Sequence, residues 1–332
     1  MKIKKYFWNN DENRLRAGWR LCVYILILLA ATLALGLVSG LLVVLLRTIF
    51  PAIRDNLIFA NLVQMLVITL IMILGSWVTA RWVDRRKITS LGLQFDRSWW
   101  RDLAFGAFLG FFLMLLIFLT ELAFGLITVE SYLYAHPDYA NFWSSLLVYA
   151  FQFICVGIYE ELFSRGYQLV NLAEGFSFVK DQKTGLWIAY IITSSIFGLL
   201  HAMNPGASVS SVLNIIIAGF FLGLGMLLTG RIGLSIGLHI TWNFFQGNVF
   251  GFPVSGIGTG VSLIQISQGG RDWFTGGQFG PEGGVISLLA ILVGVFCILA
   301  WVKWQYGELR LGLLDNLFKI PTPMVLPNED FD

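Results

Sequence analysis

Residues 145–165 read SLLVYAFQFICVGIYEELFSR. Fifteen apolar or aromatic positions surround one adjacent pair of acids, Glu160 and Glu161, with Arg165 four residues on. A stretch this long and apolar suits a membrane-spanning helix, which needs about 20 mainly apolar residues. A carboxylate pair inside such a span is costly and marks a functional site by default. The rest of the chain sets the background. Of 332 residues, 22 are basic and 20 acidic, so 13% are charged. A soluble domain carries about 25%. Disorder is excluded because the chain is too apolar to stay solvated. The formal net charge of +2 gives no sign of nucleic-acid binding. The chain reads as an all-α, polytopic membrane protein.

About eight spans are predicted: Trp19–Leu46, Leu57–Thr79, Leu103–Ile127, Ser145–Arg165, Leu186–Met203, Val209–Thr229, Ile232–Gly247 and Val285–Val302. The seventh is short and polar, and spans only if neighbours shield it. The first is too long and too late for a cleaved signal peptide. With the N-terminus in the cytoplasm, 19 of the 22 basic residues fall on the inner side. Only Arg47, Arg54 and Arg271 fall outside. This asymmetry predicts that both termini are cytoplasmic. Trp99 and Trp100 beside Arg101 suit a segment on the inner interface. Three regions are expected: 1–140 with three spans, a core over 141–255, and 256–332 with the last span and a tail. The tail after Ile320 reads as a solvated end.

Residues 248–284 hold 11 Gly and read as a mobile lid or a disordered connector. Cys22, Cys155 and Cys297 are scattered in apolar stretches and read as small buried hydrophobes. His136 reads as a solvated loop residue. Glu121 lies in the third span with no evident partner.

The polar residues of the spans carry the chemistry. Glu161 and Arg165 are i,i+4 neighbours and can pair. Glu160 points about 100° away and lacks a local cation, which makes it the better general base. Alone, the two acids read equally well as interfacial groups at a helix end. His201 closes the run FGLLHAMNP over 197–205, and a lone histidine at a helix end is often structural. His239 and Asn243 share a helix face at i,i+4. They serve either as helix–helix glue or as donors to a developing oxyanion. The ordered set Glu-Glu-x-x-x-Arg, Phe-x-x-x-His and His-x-x-x-Asn on three spans is hard to explain by structure alone.

In these motifs the sequence resembles the CAAX-processing and bacteriocin-processing (CPBP, or Abi) family of intramembrane endopeptidases, over roughly residues 145–255. The resemblance implies hydrolysis of a peptide bond in a membrane-associated substrate, either CAAX-like or a bacteriocin or leader peptide. Glu160 would activate a water that His201 helps to hold. His239 and Asn243 would stabilise the oxyanion, and Glu161 and Arg165 would orient the site. A multi-pass protein of a bacterial plasma membrane is expected, with lipid and a peptide substrate as partners. No cofactor is expected; a catalytic zinc on Glu160, His201 and His239 is the alternative. Two non-protease readings remain, a membrane scaffold or immunity protein and a proton-coupled transporter. No inverted repeat supports the latter.

One difficulty accompanies the shared site. Helix rise puts His201 about 22 Å above Leu186, but Glu160 only about 8 Å above Arg165. Strictly vertical spans would not align them. The orientation itself is testable: fluorescent-protein fusions at either terminus are expected to fluoresce. An alkaline phosphatase fused near His136 is expected to be active. The reverse pattern would reject the assigned hand.

Overall fold

The computed structural model describes residues 4–10, 12–50, 57–137, 139 and 141–318. The tail after Ile320 lies outside the described residues. The described residues are mostly helical. Its main helices are α1 (Ala17–Ile49), α2 (Leu57–Val78), α3 (Arg97–Ala123), α4 (Phe142–Glu161), α5 (Leu169–Phe176), α6 (Gln182–Leu200), α7 (Val209–Thr229), α8 (Gly233–Phe244), α9 (Val285–Tyr306) and α10 (Gly312–Phe318). Seven segments are long and apolar enough to cross a membrane: 17–49, 59–83, 97–123, 142–176, 182–200, 209–229 and 285–306. Large apolar side chains such as Leu33, Leu37 and Leu41 point outward, as a bilayer solvent requires.

The expected seventh span, Ile232–Gly247, is not among these seven. Helix α8 has 12 residues, about 18 Å of rise, and continues only as a widened turn over Phe245–Val249. By length it falls short of the roughly 30 Å hydrocarbon layer. It nevertheless carries the chain between the two ends of the bundle. Arg231, just before α8, bonds Asp96 at the start of α3 at 2.9 Å. The Arg231 guanidinium holds the Asp96 carboxyl below its usual range. Tyr306, at the end of α9, reaches Asp102 near that same start. At the other end Asn214, in the first turns of α7, bonds Gly284 O just before α9. The chain between Arg231 and Gly284 thus passes through the bundle once.

The basic residues collect at one end. Arg14, Arg20 and Arg86 converge on Glu174 at 3.3, 2.8 and 2.6 Å. These contacts join the starts of the chain and of α1 to the ends of α2 and α5. The α7–α8 turn is covered by α10, where Asn316 bonds Gly230 O at 3.0 Å. The N-terminal and C-terminal described segments therefore lie at the same basic end.

Helix α8 packs into the middle of the molecule because it meets α3 backbone to backbone. The pairs Gly106/Gly110 on α3 and Gly233/Gly237 on α8 face each other. A Cβ on Gly237 would lie 2.1 Å from Leu103 O, and one on Gly106 2.1 Å from Leu234 O. Small residues at a four-residue spacing allow such an approach.

The Gly-rich stretch corrects a second expectation, because it is not a disordered connector. Strand β1 (Ile127–Ala135) precedes α4, and β2 (Val261–Gln268) pairs with it antiparallel, from Ile127↔Gln268 to Ala135↔Val261. The third helix accordingly ends at Ala123, not Ile127. Glu121 gains the partner that was missing: Gln268 Nε2 donates to it at 2.9 Å.

Gly237→Ala is expected to destabilise the protein by about 1–3 kcal/mol, the usual cost of overpacking. Gly36→Ala, whose Cβ meets nothing within 4 Å, is the control. Thermal unfolding in detergent would measure both, and equal midpoints would contradict the close packing of α3 on α8.

Candidate active site

Helix α4 begins at Asn141, whose side chain accepts from Trp143 N and Ser144 N and so caps two free amides. It does not stop at Arg165. A widened, π-type turn over Leu162–Gln168 joins it to α5, and the helix runs on to Phe176. Such turns occur often at functional sites. Counted from Phe176, Glu160 rides about 24 Å up, and His201 lies about 28 Å beyond Gln182. The continued helix therefore removes the difficulty over depth. The recessed start of α8, under α10, does the same for His239.

Glu161 is the centre of the site. It is fully buried. Its Oε1 accepts from Arg165 Nη1 at 2.8 Å and from His239 Nδ1 at 2.9 Å. Arg165 in turn donates Nη2 to Gly219 O of α7 at 2.9 Å, and its guanidinium lies 4.3 Å from the Phe197 ring centre. One carboxylate thus ties α4 to α8 directly, and to α6 and α7 through the arginine. Because Nδ1–H of His239 serves Glu161, its Nε2 is left for the adjoining cavity. That atom faces Glu160 Oε2 at 3.9 Å. A ring held this way accepts at Nε2 when neutral and donates there only when protonated.

Glu160, His201, His239 and Asn243 line one cavity of about 460 Å³. His201 hydrogen-bonds Phe197 O through Nδ1 at 2.8 Å, one helical turn back, leaving Nε2 free of that bond. Asn243 is 6% exposed, and its amide group makes no hydrogen bond to the described residues. All four expected residues therefore share a site, with Glu161 and Arg165 directly behind it.

The zinc alternative fits the side chains poorly. Ligands at about 2.0–2.1 Å from zinc bring donor atoms to about 3.3 Å of one another. Glu160 and His239 stand wider than that, at 3.9 Å. Among the described residues, no three His, Cys, Asp or Glu side chains are grouped to hold a metal ion.

Three contributors were missed by sequence reasoning. Asn204, Ser255 and Glu282 also line the cavity. Asn204 Nδ2 donates to Ser255 O at 3.0 Å. The available signal was Glu282 itself, one of only two acids in residues 248–284.

A helical bundle with seven membrane-length helices and a largely apolar cavity between them defines a polytopic membrane protein. Residues 141–245 match the family model described as type II CAAX prenyl endopeptidase Rce1-like, which is the CPBP family that the motifs resemble. The uncharacterized protein YyaK of Bacillus subtilis (strain 168) is 27% identical over 213 residues, 62% of this chain and 67% of the relative. No solved structure matches.

Arg165→Met would strand the buried Glu161 charge. Breaking a buried pair in this way costs about 3–5 kcal/mol, and a corresponding fall in the thermal midpoint is expected. An unchanged midpoint would show that the pair is not needed for stability.

Proposed function

We propose that the protein is a metal-free intramembrane endopeptidase that cleaves a membrane-associated peptide or protein. The observation that carries this reading is Glu160 facing the Nε2 edge of His239 across 3.9 Å, in a cavity shared with His201 and Asn243. That gap and the surrounding polar atoms suit a water and a scissile carbonyl.

Glu160 is the general base. It takes a proton from a water oriented by His201 Nε2, and the hydroxide oxygen attacks the peptide carbonyl carbon. The resulting oxyanion accepts hydrogen bonds from Asn243 Nδ2 and from His239, protonated at Nε2. Glu161 stabilises that imidazolium through Nδ1, and Arg165 holds Glu161 in place. As the carbon–nitrogen bond breaks, Glu160 returns its proton to the departing amine. Positioned acid–base groups supply about 10²–10⁴-fold, and one oxyanion donor about 10²–10³-fold. The apolar cavity wall suits a lipid-facing, CAAX-like or leader-type peptide. A bacterial plasma membrane is the proposed location, consistent with the bacterial relative.

The test uses purified protein in lipid vesicles and a quenched fluorescent peptide library. Glu160→Gln and His239→Ala are each expected to lower kcat at least 100-fold, while 1,10-phenanthroline leaves the wild type unchanged. Full activity of both variants would reject the catalytic assignment. A wild type with no cleavage of any membrane peptide would favour a scaffold or immunity role. Loss of activity with chelator and its return with zinc would overturn the metal-free mechanism.

A further inference from the structure

Glu282 sits on the short turn Pro281–Gly283 that leads into α9. It lines the same cavity as Glu160 and is 9% exposed. Its Oε2 accepts from the backbone N–H and the hydroxyl of Ser255, both at 2.7 Å. Ser255 holds a left-handed conformation, φ 47°. Its carbonyl is fixed by Asn204, whose own N–H bonds His201 O at 3.1 Å. A continuous set of hydrogen bonds thus joins Glu282 to the turn that bears His201.

The other oxygen, Oε1, has no hydrogen-bond partner among the described residues and is not sealed from the cavity. No Lys or Arg lines that cavity, and none of the described ion pairs involves Glu282. The tie to Ser255 needs only an acceptor oxygen, which a glutamine would supply. The negative charge is therefore surplus to the structural task, while a carboxylate withdrawn from water is costly unless paired. Around it the wall is largely apolar, with Phe153, Val156, Phe221 and Trp242 among its members. The site complements an apolar segment bearing one cation.

We propose that Glu282 is the cation subsite of this cavity, receiving the ammonium or guanidinium group of an otherwise apolar peptide. The group is either a Lys or Arg side chain or a free amino terminus. This assignment rests on the endopeptidase reading for its substrate class, but not for its test.

Binding is measured by fluorescence anisotropy in neutral-detergent micelles, with Glu160→Gln as the parent so that peptides stay intact. The probes are labelled apolar peptides carrying Lys, norleucine or Glu at scanned positions, each with a free or acetylated amino terminus. The parent is expected to bind a cationic peptide at least tenfold more tightly than its uncharged counterpart. Loss of that preference on acetylation assigns the amino terminus, and its survival assigns the side chain. Adding Glu282→Gln is expected to bring the ratio within twofold, while Ser255→Ala, which keeps the charge, preserves it. Equal binding by the parent, or a preference that survives Glu282→Gln, would overturn the proposal. Cleavage is read separately with Glu160 intact. Cation-selective binding without cleavage would defeat the endopeptidase reading and leave the subsite standing. Cleavage without cation preference would do the reverse.

Discussion

The site depends on the Glu161 carboxylate. A carboxylate taken out of water costs several kcal/mol unless charge and hydrogen bonds compensate it. Here one oxygen takes both an arginine and a histidine proton, and the other is buried without a partner among the described residues. The pair is therefore an indifferent source of net stability. Its effect is geometric. Arg165 can satisfy Glu161 and Gly219 O together only if α4 and α7 hold one separation. His239 can reach Glu161 only if α8 lies deep in the bundle. That depth requires the glycine contacts between α3 and α8, where any side chain would strike backbone. The ion pair and the glycines thus define one position of α8, and α8 carries both His239 and Asn243.

How much of this was legible follows from the range of each interaction. Spans announce themselves by local composition, so the long helices could be read directly. The i,i+4 pairing of Glu161 with Arg165 is likewise local. The second bond of Glu161, to His239, joins residues 78 apart, and no periodicity encodes it. The assignment of Glu161 as an orienting group therefore came without the atom it orients. The π-type turn was equally hidden. Residues 162–168 are compatible with an ordinary helix, and the contacts of Tyr167 and Asn171 with Asp84, on the segment after α2, span more than eighty residues.

Residues 248–284 were the least legible part, for a physical reason. Glycine lowers local propensity for both helix and strand, so a Gly-rich stretch reads as disordered. Its order is supplied from outside. Strand β2 gains its hydrogen bonds from β1, more than a hundred residues earlier. Gly256 N donates to Phe279 O, and Gln246 Nε2 to Pro253 O. At Gly280 a Cβ would lie 2.1 Å from Pro253 O, so a residue chosen for close approach was easily taken for one chosen for freedom.

The same local blindness explains two buried acids of the outer half, Glu121 and Glu282. Glu121 and Glu282 lack an i,i+4 cation, and each is tied to the Gly-rich stretch. Their environments then separate them. Glu121 is fully buried, and its uncommitted oxygen is sealed from solvent, so nothing can reach it and it serves to hold Gln268 and β2. Glu282 has the same kind of tie through Oε2, but its uncommitted oxygen is not sealed, and the residue lines the cavity. With Glu160 it leaves that space with two carboxylates and no lysine or arginine on its wall. The guanidinium groups lie behind the site, at Arg165, and at the far basic end around Glu174. A cation entering the cavity therefore meets two carboxylates and no competing lysine or arginine on the wall, an arrangement of charge that favours selective recognition of a basic residue.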